Sequence, residues 1–344
     1  MKKIIISLVI FLIPLNVHGL ASTSKSAILY DQDSKRILFA KNIDEKHLIA
    51  STTKIMTAVL AVESGKLDYE VTTNESILKS YGSGIYISVN ETLTLRDLVY
   101  GLLLRSGNDA ALAIEDYLGG HEKFVKLMND KAIEIGMKNT IFKNPHGLDE
   151  TEENYSTAYD MALLMSYANN LYEFREIDST KKIVVKSDLK TYSWTNKNKL
   201  LFKYKYTTGG KTGFTKKARR TLVTSASKND INLIAVTLND PKDFDTHVEL
   251  YEYGFNNYKK YKIINKNKLN IKSKKYKNKL YVKNNYYYLL KDNERDKIKL
   301  NVNLYKSVIK KNKVGYIEVT FNKKVVHKEP VYVNLNKKSK GNIF

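Results

Sequence analysis

The residues Ile55, Met56, Ala58, Val59, Leu60, Ala61 and Val62 are apolar on nearly all sides of the helix predicted over Ser51–Glu63. Such a helix cannot lie on a surface. It belongs inside the fold, with other elements packed around it. Gly65 suits its C-terminal cap. At the head of the run stands Ala50-Ser51-Thr52-Thr53-Lys54, a serine three residues before a lysine. The spacing alone decides nothing, because Ser-x-x-Lys occurs seven times, at Ser22, Ser51, Ser76, Ser179, Ser187, Ser225 and Ser307.

Around this helix the chain reads as strands at both ends and helices between. Ser26–Tyr30 and Arg36–Ala40 predict two short strands about a polar turn. Helices are predicted near Leu93–Leu104, from Asn108 or Asp109 to Gly119-Gly120, over Glu122–Ile135, and from a Ser156-Thr157 cap to Ala168. Asn144–Tyr155 is turn chemistry. After Tyr206, "TTGGKTGFT", Thr221–Ser227 and Ile231–Leu238 read as consecutive antiparallel strands, the last two joined by Lys228-Asn229-Asp230. A last helix is predicted over about Thr246–Gly254. Strands from both ends can share one antiparallel sheet with helices packed on it, an α+β arrangement.

Charge and texture change near residue 256. From Asn256 to Phe344 there are 25 Lys+Arg against 5 Asp+Glu, a balance of +20 out of the chain's +22. Runs such as "KIKLNVNLY" and "KVVHKEPVYVNL" alternate apolar and polar residues, which predicts a small all-β domain. The expected division is a signal peptide over 1–21, a catalytic domain over 22–255 and a basic all-β domain over 256–344. Lys2 and Lys3 before the apolar run Ile4–Ile13, then Pro14, Gly19 and Ala21, have the layout of a secretory signal peptide cut after Gly19 or Ala21. The expected location is extracytoplasmic, in the cell wall or at the outer face of the membrane. There, anionic lipid head groups or phosphate-rich wall polymers fit the basic domain better than nucleic acid.

The chain has no cysteine, which excludes thiol nucleophiles, disulfides and thiolate metal sites. None of the six histidines stands at metal-ligand spacing, so no metal and no cofactor are expected. His146, in "NPHGL", reads as a structural hydrogen-bonder. No G-x-S-x-G elbow supports a serine–histidine triad. Lysine is then the base to consider. It can take a serine proton only when neutral, and burial or a second cation lowers its pKa. Among the seven matches only Lys54 lies on an apolar helix, with Ser51 on the same face at the positive helix end. Ser106-Gly107-Asn108 stands at a break between helices. Lys211-Thr212-Gly213 opens a strand, where Lys211 can supply the second cation and Gly210 and Gly213 leave the strand edge bare for a substrate backbone.

In this order the three elements resemble the low-molecular-mass penicillin-binding proteins, specifically the serine D-alanyl-D-alanine carboxypeptidases. The likeness extends to "LLLRSGNDAA", "FKNPHGLDE", "YSTAYDMA", "GGKTGFT" and "LYEYGF", and covers about Ser26 to Phe255. It implies a serine β-lactamase/DD-peptidase-like fold. It also implies an acyl-enzyme on Ser51 with Lys54 as base and Ser106 relaying a proton to the leaving D-alanine. Asn108 would bind the substrate backbone, and Lys211 and Thr212 of the Lys211-Thr212-Gly213 strand would hold its carboxylate. The backbone N–H groups of Ser51 and Phe214 would form the oxyanion hole. Peptidoglycan stem peptides are the implied substrates and β-lactams the implied inhibitors.

Two features depart from the family. Many members end in an amphipathic anchoring helix, and "NKKSKGNIF" has none; some carry an arginine in the loop where this chain offers Lys242 in "NDPKDFDTH". A D,D-endopeptidase would use the same residues. A β-lactamase is disfavoured, because no Glu-x-x-Leu-Asn lies between Asn108 and Lys211. A non-catalytic wall-binding protein fits the intact trio poorly.

Overall fold

A computed structural model describes residues 22–334 except 270, 272, 274, 275 and 277–279. The predicted signal peptide and the last ten residues lie outside the described residues. At the centre is a five-stranded antiparallel sheet. Its strand order is Ile37–Lys41, Ser26–Asp31, Ile231–Leu238, Arg219–Lys228, Thr207–Thr215. Strands from the two ends of the sequence therefore lie side by side, with Ala27 opposite Thr237 and Leu29 opposite Ala235.

Strand side chains alternate between faces, and the two faces have different partners. Ile28, Tyr30, Ile234, Val236 and Leu238 join a core with the helical block. Leu29, Leu233 and Ala235 meet Leu250 and Tyr251 of the C-terminal helix Asp243–Asn257. The sheet is thus buried on both sides, a three-layer arrangement. Within the helical block, the helix Lys54–Glu63 buries eight of its ten residues. Its apolar circumference matches its place among neighbouring helices, as its composition requires. Gly65, at φ +69°, ends it in the left-handed conformation.

Two elements near the cleft differ from expectation. The helix expected over Leu93–Leu104 is α-helical only over Leu95–Tyr100, then widens into a π turn over Gly101–Arg105. Lys211 does not open its strand but lies in the middle of Thr207–Thr215. A helix over Tyr172–Asp178 and a hairpin, Lys182–Lys186 with Thr191–Thr195, were not anticipated by the pattern.

After Asn257 the chain is all-β among the described residues, apart from short 3₁₀ turns. A four-stranded sheet and the pair Lys259–Ile264/Tyr286–Leu290 enclose a separate core built on Ile264, Tyr288, Val319 and Val331. It is joined to the front half through Arg36, in the turn between the first two strands. The Arg36 guanidinium lies 4.4 Å from the Phe321 ring, 5.1 Å from Tyr258 and 5.3 Å from Tyr288. It also pairs with Glu294 at 2.9 Å. A second bridge runs from Lys260 to Asp33 at 2.6 Å.

Candidate active site

A cleft of about 310 Å³ opens between the sheet edge and the helical block, lined by Ser51, Ser83, Ser106, Lys197, Thr212, Gly213, Phe214 and Arg220 among others. A larger cleft of about 590 Å³ lies at the other end of the edge strand, beside Arg175, Thr207 and Ser225. The smaller cleft is the one that holds the Ser-x-x-Lys serine Ser51 together with Ser106 and the Lys-Thr-Gly strand.

Ser51 sits on a single 3₁₀ turn, Ala50–Thr53, that feeds the buried helix. The turn is held from two sides. The loop "NPHGL" passes so close that a Cβ on Gly147 would lie 1.9 Å from the Ala50 carbonyl oxygen, and Gly147 itself has φ +85°. Glycine is required there on both counts. On the other side, a Cβ on Gly213 would meet Thr221 Oγ1 at 2.3 Å and the Ser51 nitrogen at 3.1 Å. Gly213 thus lets the edge strand approach the Ser51 backbone. Gly210 acts differently from expectation. With φ +142° it presses on Thr224 of the adjacent strand, so it serves packing within the sheet rather than a bare edge.

Lys54 is fully buried. Its Nζ is 2.6 Å from Asn108 Oδ1, 2.6 Å from the His146 carbonyl oxygen and 3.1 Å from Ser51 Oγ. A neutral amine has two N–H groups and one lone pair. The two short contacts are to oxygens that can only accept, so they take the N–H groups. As an ammonium Lys54 donates to Ser51 Oγ as well; in the neutral form the lone pair is left for the Ser51 hydroxyl, which then donates. Burial pushes the Lys54 pKa well below the usual lysine value, and the nearby cations Lys211 and Lys197 push it further. Asp109 acts in the opposite direction.

Ser106 follows the π turn in the left-handed conformation, φ 63° and ψ 35°. A non-glycine residue there is strained, and π turns recur where a helix is bent to serve a site. The strain aims the hydroxyl at the sheet, where Lys211 Nζ donates to Ser106 Oγ at 2.9 Å and to the Thr212 carbonyl at 2.7 Å. Asn108, two residues on, donates from Nδ2 to the Tyr81 carbonyl at 2.6 Å. Asp109 takes the backbone N–H groups of Ile85 and Tyr86, which ties the loop over the cleft to the helix start. Burial lowers the Lys211 pKa to about 7, aided by Lys197. The six predicted residues Ser51, Lys54, Ser106, Asn108, Lys211 and Thr212, with Gly213 and Phe214, therefore converge on one cleft.

Sequence patterns pointed to neither Lys197 nor Arg220. Lys197 Nζ donates to Ser83 Oγ at 3.0 Å from the loop before the edge strand. Arg220 lies opposite Phe214 in the sheet register and pairs with Asp243 at 2.7 Å. Its Nε is buried without a partner among the described residues. Arg220 lines the cleft, whereas Lys242 does not. His146 works through its backbone. Its carbonyl accepts from Lys54, while burial lowers the ring pKa to about 3 and the ring accepts from the Leu148 N–H. No group of three or more metal-ligating side chains is found among the described residues.

Residues 15–242 match the model of the peptidase S11 family, described as D-alanyl-D-alanine carboxypeptidase. The chain is 35% identical over 258 residues to the D-alanyl-D-alanine carboxypeptidase DacF of Bacillus subtilis, an alignment covering 72% of this chain and 66% of that one. It is 33% identical to DacA of Haemophilus influenzae, covering 70% and 64%. It spans under two thirds of the length of these two relatives. Among solved structures it is similar to penicillin-binding protein 5 from Haemophilus influenzae, with TM-score 0.78, 28% identity, and 91% and 97% of the two chains covered. The arrangement of the cleft and the extent of the match agree: the chain belongs to the peptidase S11 family of D-alanyl-D-alanine carboxypeptidases.

Proposed function

We propose that this protein is a serine D-Ala-D-Ala carboxypeptidase that removes the terminal D-alanine from peptidoglycan pentapeptide stems. The observation that carries the reading is the fully buried Lys54 Nζ, 2.6 Å from two acceptor oxygens and 3.1 Å from Ser51 Oγ, so that in its neutral form the amine has its lone pair free for the Ser51 proton. Ser51 Oγ attacks the penultimate D-alanine carbonyl as Lys54 takes its proton. The oxyanion is held by the backbone N–H groups of Ser51 and Phe214. The C–N bond breaks as a proton reaches the leaving amine through Ser106, whose hydroxyl is in contact with Lys211. Water then hydrolyses the ester and Ser51 regains its proton. Asn108 orients the stem backbone with its remaining N–H. Lys211, Thr212 and the unpartnered Arg220 Nε–H receive the terminal carboxylate.

β-Lactams present the same carbonyl and would leave Ser51 as a slowly hydrolysed ester. The work is extracytoplasmic, at the wall or the outer membrane face. Among the described residues no helix is long and apolar enough to cross a membrane. The lysine-rich region after residue 256 is suited to anionic lipid or wall polymers, and this contact weakens with salt.

The test is D-alanine release from a pentapeptide ending in D-Ala-D-Ala, with Ser51→Ala beside the wild type. Release by the wild type alone is expected. No release and no penicillin adduct would overturn the reading. Release from cross-linked dimers but not from the pentapeptide would make the protein an endopeptidase.

A further inference from the structure

Asp178 is a buried carboxylate that the mechanism does not use. It ends the helix Tyr172–Asp178 and is 2% exposed. The edge strand makes room for it: a Cβ on Gly209 would lie 2.1 Å from Asp178 Oδ2. The Gly210 N–H donates to the carboxylate, and the next residue in the strand is Lys211. Residues 209 and 211 share one face of the strand, so Asp178 stands on the face from which Lys211 reaches Ser106.

The charges around Lys211 are unbalanced. Lys197 acts on it from the preceding loop, and Lys211 in turn acts on the buried Lys54. Asp178, at the end of the helix Tyr172–Asp178, is the negative group that acts on Lys211. Asp109 acts on Lys54 instead. On its own side, Asp178 faces Lys211 and the Gly210 N–H. Arg175, one turn earlier, is occupied by the Asn169 carbonyl at 2.7 Å.

We infer that Asp178 is a positioning residue, the counter-ion that keeps Lys211 as the protonated lysine of the site while Lys54 is the one that gives up its proton. The inference rests on the carboxypeptidase reading, in which Lys211 receives a carboxylate. Two buried lysines in one site disfavour each other's charge, and two neutral ones would neither hold a carboxylate nor lower each other's pKa. A carboxylate placed behind one of them breaks the symmetry. Burial moves both partners toward neutrality, Lys211 down to about 7 and Asp178 up to about 7, so the pairing is read out near neutral pH.

The experiment is the pH profile of D-alanine release by Asp178→Asn, which keeps the size of the side chain and an acceptor for the Gly210 N–H. Asp178→Ser is the second variant, smaller but still an acceptor. Lys211 must be protonated to hold the carboxylate, so activity falls as pH rises through its pKa. Removing the negative neighbour lowers that pKa and moves the alkaline limb to lower pH. The expected shift is about one unit, or about a 10-fold lower kcat/KM on that limb carried by KM, with less than about 3-fold loss on the acid side. A limb that does not move, a loss equal at every pH, or a lowered melting temperature with the limb unmoved would overturn the inference. Wild-type D-alanine release and penicillin labelling of Ser51 are measured with Asp178 in place. Failure here leaves the carboxypeptidase reading standing, whereas absence of wild-type release overturns that reading itself.

Discussion

Ser51 is an ordinary hydroxyl until Lys54 is neutral, so the account at the residue scale turns on one protonation state. Lys54 acts as a base only above its own pKa. Activity should therefore rise as pH increases through that value, which burial and two neighbouring lysines hold well below the range of a solvated lysine. Lys54→Arg removes the neutral form, since a guanidinium keeps its proton. The expected loss in penicillin acylation rate is on the order of 10²–10⁴-fold, with the acid limb of the pH profile gone. Stopped-flow acylation against pH checks both. Ser51, Lys54 and Lys211 were legible because each needs only a local context: an apolar helix, or a Lys-Thr-Gly strand. Arg220 and Asp178 were not. The first reaches the cleft only through its register opposite Phe214, and the second only because Gly209 leaves a hollow for it. Neither relation is written in the residues next to them.

The tight turn that carries Ser51 is held by a loop and a strand edge, and each of these two has a glycine where it meets the turn. Gly147→Ala forces a Cβ against the Ala50 carbonyl and strains a positive φ. It should cost about 2–4 kcal/mol of stability, measured by denaturant unfolding, and slow acylation of Ser51 even where the protein stays folded. The same loop anchors the helix through Asn154 Nδ2 to Thr53 Oγ1 at 3.0 Å and Thr57 Oγ1 to the Pro145 carbonyl at 2.6 Å. Sequence periodicity found most helices and the hairpin of the sheet, because apolar spacing follows directly from burial. It did not show that the helix before Ser106 widens into a π turn. That irregularity has no signature of its own in "GLLLR" and follows from the need to place Ser106 against Lys211.

At the scale of the whole molecule, the change in charge near residue 256 coincides with a change of architecture, from layered helices and sheet to β-strands alone. Alternating polar and apolar residues made the second half readable as β. Its attachment to the first half was not readable, because it depends on Arg36 entering a cage of Tyr258, Tyr288 and Phe321 more than 200 residues away. Arg36→Ala empties the cage and leaves Glu294 without its partner. It should cost about 2–4 kcal/mol, seen as earlier melting of the C-terminal strands by hydrogen exchange, with D-alanine release little changed. A large loss of activity would mean that the C-terminal half shapes the cleft as well as the surface.

The central claim is that Ser51, activated by Lys54, is the residue acylated. Incubation with benzylpenicillin followed by intact mass and peptide mapping tests it directly. The account predicts a single adduct on the peptide containing Ser51, absent in Ser51→Ala and strongly slowed in Lys54→Arg. No adduct on the folded wild-type protein, or an adduct on another residue that persists in Ser51→Ala, would contradict it.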